Sequence, residues 1–116
     1  ITPVARRRFD SNGRAYDTHT VYAPLVRKVA HQYHVPLIDL DKSSLQLLQK
    51  FGPEKSAYLY NHLAPGENPH YPDGRNDNTH FSELGARRMA ELVIDGIKKL
   101  HLGLAQRIRK VSSKSK

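Results

Sequence analysis

Apolar residues recur at spacings of three and four at Tyr22, Val26, Val29, Ala30 and Tyr33, the period of a helix that turns one face toward a core. This predicts an amphipathic helix over residues 20–33, with Pro24 accommodated in the first turn, where its missing N–H leaves no helical hydrogen bond unmade. Residues 35–40 follow directly as an apolar run too short for a helix, which reads as a buried parallel strand ending at Asp39. Residues 1–5 read as the end of another buried strand. Residues 6–18 are a polar connection whose Asp10-Ser11-Asn12-Gly13 is turn chemistry.

Downstream, Asp41 is placed to cap a second helix, with Leu45, Leu48 and Phe51 facing inward and Gly52-Pro53 stopping it. Residues 56–63 allow a further short helix. Residues 64–79, rich in Pro, Gly, Asn and Asp and without periodicity, read as a long surface loop of the kind that carries function. Ser82 can cap the last helix, with Glu83 favourable in its first turn and Lys98 and Lys99 at its far end. Its buried stripe is Gly85, Met89, Leu92, Val93, Gly96, Ile97 and Leu100, and Gly103 is the expected stop. Strand, helix, strand, helix, loop, helix is an α/β order, in which the crossover rule makes the two strands parallel and adjacent. Ligands in such sheets bind beyond the carboxyl ends of the strands, where the connections after Ala5 and Leu40 and before Ser82 should gather.

Two strands do not complete such a domain, and 116 residues is short for one. The chain opens at Ile1, inside an expected strand, with neither an initiator methionine nor a signal peptide, which suggests a partial or processed chain. Residues 1–105 are expected to form the domain portion and residues 106–116 a basic, disordered tail.

The net charge of +8 adds less than it first suggests. Five of the excess charges, Arg107, Arg109, Lys110, Lys114 and Lys116, sit in that tail, and Arg6-Arg7-Arg8 form a second cluster, so most of it reads as solvated surface charge. No nucleic-acid partner is expected. With a mean hydropathy of -0.65 and no long apolar stretch, neither is a membrane partner. The absence of cysteine excludes a thiolate nucleophile, a disulfide framework and cysteine-containing zinc sites.

Candidate chemistry concentrates in Asn76-Asp77-Asn78-Thr79-His80-Phe81, where an Asp and a His three apart precede a helix. In acyl transfer an imidazole takes the nucleophile's proton, while a carboxylate on its other nitrogen fixes the tautomer. The Asp77 carboxylate is therefore expected within hydrogen-bond reach of the His80 ring. Spacing alone is weak evidence, since about 0.4 Asp-x-x-His pairs arise by chance in a chain with this many of each residue. Other candidates are weaker still. His70 and Tyr71 lie in the long loop and are candidate substrate contacts, although ordinary loop packing accounts for them. Asp39 ends a strand and reads first as a turn or capping residue. His19, His31, His34, His62 and His70 invite a metal reading, but His31 and His34, three apart near a helix end, have no acidic neighbour in sequence, and no metal site is expected. Ser11 follows an Asp but lies among turn residues and is set aside as a nucleophile.

Asp77-Asn78-Thr79-His80-Phe81 followed by Gly85-Ala86 resembles the last block of SGNH/GDSL hydrolases, in which this Asp and His complete a Ser-His-Asp triad. Thr2-Pro3-Val4-Ala5-Arg6-Arg7, Asp17-Thr18-His19, Tyr22, Val35-Pro36-Leu37-Ile38-Asp39-Leu40 and Gly52 resemble the rhamnogalacturonan acetylesterase branch of that superfamily. The resemblance runs from residue 1 to about 101. It implies the C-terminal part of a three-layer, flavodoxin-like α/β fold with about two parallel strands and three to four helices. It also implies a secreted or periplasmic carbohydrate O-acetylesterase acting without a cofactor on pectin, rhamnogalacturonan above all, or on another acetylated sugar. Asp77 and His80 would be its catalytic pair. The family's Gly-Asp-Ser block and oxyanion donors have no counterpart here, so this chain alone would be inactive and would need its missing N-terminal portion or another chain as partner. A non-catalytic module that holds a polyanion on its basic surface is the alternative from another class.

Overall fold

The computed structural model describes residues 1–109; residues 110–116, most of the expected tail, lie outside the described residues. The elements in order are helix α1 (Tyr22–Gln32), helix α2 (Leu40–Lys55), a 3₁₀ turn (Ser56–Leu59), strands β1 (Tyr60–Leu63) and β2 (Arg75–Phe81), helix α3 (Glu83–Lys99) and a second 3₁₀ turn (Gly103–Arg107). The class is mixed α/β. Among the described residues, no helix is long and apolar enough to cross a membrane.

The strands depart from the sequence expectation. The sheet is a two-stranded antiparallel pair of β1 and β2, with Tyr60 opposite Phe81, His62 opposite Asn76 and Leu63 opposite Arg75. No regular strand forms over residues 1–5 or 35–40, and those segments are joined by one backbone bond, Thr2 N–H to Ile38 O at 3.1 Å, and by Thr2 Oγ1 donating to Asp39 Oδ1 at 3.1 Å. The reason is that a strand exists only by pairing, and an apolar run says nothing about where its partners lie. The expected short helix over 56–63 is half 3₁₀ turn and half β1, and the expected loop over 64–79 gives its last five residues to β2.

The helices follow the sequence more closely. Leu48 is fully buried in α2 with Leu45 and Phe51 packed beside it, against Ala5, Ala15, Leu59 and Tyr60, which together make the core. Asp39, not Asp41, caps α2, its carboxylate accepting from the Lys42 N–H. At Gly52 the backbone switches to φ 74°, so Gly52-Pro53 breaks the helix, which resumes for one turn to Lys55. Helix α3 is capped by Ser82, whose Oγ accepts from the Gly85 N–H, and it ends at Lys99, ahead of the expected Gly103.

Gly85 lets α3 lie directly on the Ser56–Leu59 turn: a Cβ there would stand 1.8 Å from the Leu59 carbonyl oxygen. Met89 and Ile97 are buried along the same face, whereas Leu100 is exposed. Helix α1 forms where its period places it, but its apolar stripe is uncovered, with Tyr22 68% and Tyr33 67% exposed and only Ala23 buried. The radius of gyration, 16.6 Å, exceeds the roughly 13 Å of a closed domain this long. The chain is open on the α1 side.

Candidate active site

Between the paired residues Asn76 and Phe81, residues 77–80 bow out of β2 opposite the single residue Asn61, an irregular four-residue bulge of the sort that re-aims side chains. The Asp77 carboxylate holds the bulge from within. Its Oδ1 accepts from the backbone N–H of Thr79 at 2.7 Å and of His80 at 2.9 Å. Its Oδ2 lies 2.7 Å from His80 Nδ1 and 3.3 Å from Arg75 Nη2.

The His80 backbone N–H, then that of Thr79 and the His80 ring hold the Asp77 carboxyl well below the usual carboxylate range. An ionised carboxylate can only accept, so the proton between the two side chains belongs to His80 Nδ1. In a neutral ring with the proton on Nδ1, Nε2 carries the lone pair that can take a proton. The Asp77 side chain is 12% exposed and that of His80 74%, so the carboxylate is shielded and the imidazole is presented.

A second layer fixes the outer wall of the bulge. Asn78 Oδ1 lies 2.9 Å from both Arg7 Nη1 and His62 Nε2, and the Arg7 N–H donates to the Asn78 carbonyl at 3.0 Å. Arg7 also donates from Nε to Ser56 Oγ at 3.0 Å and from Nη2 to the Pro53 carbonyl. One guanidinium therefore ties the bulge to the end of α2. Tyr60 OH donates to the Ala5 carbonyl at 2.8 Å, and the Tyr60 and Phe81 rings lie 5.3 Å apart beneath the bulge.

Arg7, Asn78, His62 and Arg75 were not legible as site residues. Arg7 hid inside Arg6-Arg7-Arg8, where one interior anchor looks the same as two surface charges. Tyr71 lies under the Arg75 guanidinium, 4.9 Å from its ring centroid, and so reaches Asp77 through Arg75. His70 is exposed, with its N–H on Asn68 Oδ1. Ser11 sits at the exposed tip of a small hairpin closed by Phe9 and Ala15 and held by Asp10 Oδ1, a turn residue as expected. His31 and His34 are both exposed at the end of α1, and His34 sits at φ 53°. Asp39 caps α2 and pairs with Arg27 at 2.9 Å.

Over 104 residues the chain is 46% identical to the rhamnogalacturonan acetylesterase RhgT of Bacillus subtilis (strain 168), a match covering 90% of this chain and 45% of the relative. The chain is thus similar to the C-terminal part of a rhamnogalacturonan acetylesterase. A probable rhamnogalacturonan acetylesterase of the same organism, YesY, is 38% identical over 110 residues, 95% of this chain and 46% of the relative. The chain thus spans somewhat less than half the length of these curated relatives and corresponds to their C-terminal part. No protein-family model matches it, and no solved structure matches it significantly.

Proposed function

We propose that this chain supplies the acid–base half of a carbohydrate O-acetylesterase that deacetylates rhamnogalacturonan or a closely related pectin. The observation that carries the reading is the 2.7 Å pair of Asp77 Oδ2 and His80 Nδ1, set immediately before α3 in a chain related to rhamnogalacturonan acetylesterases. In this reading residues 1–105 belong to a three-layer, flavodoxin-like SGNH domain whose other strands lie in sequence beyond these 116 residues. An enzyme working on cell-wall pectin would act outside the cytoplasm.

In this reading the mechanism is that of a Ser-His-Asp triad. His80 Nε2 takes the proton of a serine hydroxyl as that oxygen attacks the acetyl carbonyl, and Asp77 stabilises the imidazolium formed. The imidazolium then gives its proton to the departing sugar oxygen. In the second half of the cycle His80 activates water to release acetate. The serine and the N–H donors for the oxyanion come from outside this chain, so the chain alone turns over no ester.

The test uses this chain and the same chain joined to its upstream segment, with p-nitrophenyl acetate and an acetylated pectin oligosaccharide as substrates. The joined protein should hydrolyse both and lose most of that activity in His80→Ala. Asp77→Asn should lower kcat by about a thousandfold to ten-thousandfold by imposing the wrong imidazole tautomer. Saturable hydrolysis of the oligosaccharide by the isolated chain, abolished by Ser11→Ala, would overturn the assignment.

A further inference from the structure

A second cluster lies where the connection before α1 meets the first turn of α2. The Asp41 side chain is only 5% exposed, and its two oxygens differ. Oδ2 accepts from Arg27 Nη2 at 2.8 Å. Oδ1 is fully buried and, among the described residues, has no hydrogen-bond partner. It faces His19 Nδ1 at 3.9 Å, too far for a hydrogen bond. Asp17 completes the group, and one ligand atom from each of Asp17, His19 and Asp41 lies within 4.8 Å of the others. A buried carboxylate oxygen without a donor is costly, and such an atom calls for a ligand.

We propose that Asp17, His19 and Asp41 form a binding site for one divalent cation of the zinc type, separate from the Asp77–His80 pair and independent of the esterase reading. Charge supports it. The Arg27 guanidinium is shared between Asp39 and Asp41; with Asp17 the cluster carries three carboxylates and one fixed cation, leaving two negative charges for a dication to neutralise.

Geometry supports it as well. Zinc-to-ligand bonds of about 2.0–2.1 Å separate ligand atoms by roughly 3.3 Å in a tetrahedron and about 4.2 Å across a centre. The 3.9 Å between His19 Nδ1 and Asp41 Oδ1 is about 0.6 Å wider than the tetrahedral spacing. The other separations, none above 4.8 Å, close by at most about 1.5 Å to reach the tetrahedral spacing, by side-chain rotation of Asp17 and His19. Thr18 Oγ1, 3.2 Å from His19 Nδ1, gives up that contact and keeps the Arg6 N–H.

The outer contacts suit the role. Arg27 fixes Asp41 so that Oδ1 points inward, and the His19 N–H holds Asp17 Oδ1 at 2.7 Å. The mix of one imidazole and two carboxylates favours a borderline cation over calcium or magnesium, which take oxygen ligands. A bound ion would clasp residues 17–19 onto α2.

The test is titration of the full chain with Zn²⁺ against a chromophoric chelator at neutral pH, with thermal unfolding in parallel. One ion per chain should bind, and a hundredfold excess over Kd should raise Tm by about 10 °C. His19→Ala and Asp17→Asn should each weaken binding at least tenfold, with circular dichroism unchanged, while His62→Ala leaves it intact. Asp41 is not varied, because its Oδ2 also anchors the Arg27 guanidinium at 2.8 Å and loss of that buried pair would disturb the fold. Binding that His19→Ala leaves unchanged, no binding, or equal stabilisation by Ca²⁺ would each overturn the proposal.

Discussion

Gly85→Ala sets a favourable local change against an unfavourable packing one, and the structure decides which wins. Alanine is the better helix former by about 1 kcal/mol. Its Cβ, however, would lie 1.8 Å from the Leu59 oxygen and 2.7 Å from the Leu59 carbonyl carbon, both backbone atoms that no rotamer can move. Relief to 3.0 Å, the floor for such contacts, requires the first turn of α3 to retreat by at least about 1.2 Å. That retreat breaks two bonds across the same seam, Ser82 N–H to Leu59 O at 3.2 Å and Ser82 Oγ to Tyr58 O at 2.6 Å.

Two lost hydrogen bonds at about 1 kcal/mol each and overpacking of about 1–3 kcal/mol leave a net loss of about 2–4 kcal/mol after the helical gain. Urea unfolding followed by circular dichroism should show the midpoint lowered by about 1–2 M at a slope near 2 kcal/mol per molar. Gly52→Ala isolates the other cause, since a Cβ there meets nothing within 4 Å and only the backbone strain of φ 74°, ψ 175° remains, worth about 1–3 kcal/mol. A Gly85→Ala midpoint equal to or above wild type would refute the claim that this glycine is required by close approach.

Two further outcomes rest on buried polar groups. Tyr60→Phe should cost about 1–2 kcal/mol in the same urea assay by stripping the Ala5 carbonyl of its donor. Burial pushes the Tyr60 phenol up to about 12, so its contribution is intact below its ordinary value of 10.0 and is lost as pH rises through 12. The wild-type advantage over Tyr60→Phe should shrink in that window. Arg27→Met leaves the buried Asp41 carboxylate without its partner and should cost at least about 2 kcal/mol, short of the 3–5 of a fully buried pair because Arg27 is partly exposed. The Arg27 guanidinium chiefly holds the Asp39 carboxyl below its ordinary 3.8, a contribution present above that pH and lost as pH falls beneath it. Acid titration of stability below pH 4 should therefore be shallower in Arg27→Met.

What could be read in advance was what depends on local rules. The period of three and four located α2 and α3, and Ser82 declared itself as a cap by its type and place. The Asp77 and His80 spacing was legible because their contact spans three residues. What could not be read depends on distant partners. Strand β2, Arg75–Phe81, has no apolar alternation and becomes a strand only through β1. Val35 looked like a core residue and is 56% exposed, because burial needs a covering surface that the periodicity of one segment does not specify. The Arg7 to Asn78 bond crosses 71 positions, and nothing in a run of three arginines marks which one turns inward.

The bulge has a consequence for hydrogen exchange. In an ordinary strand an amide proton is protected by a carbonyl on the neighbouring strand, which no change of pH removes short of unfolding. The Thr79 and His80 amides instead donate to a single carboxylate oxygen, Asp77 Oδ1. Their protection is thus tied to one titrating group, and the same carboxylate that orients the imidazole keeps the clock for both amides. When that group takes a proton the two should begin to exchange together, ahead of the paired Asn76 and Phe81 on either side. The ionisation state of Asp77 is then readable from its neighbours' amide protons, with no substitution and no substrate.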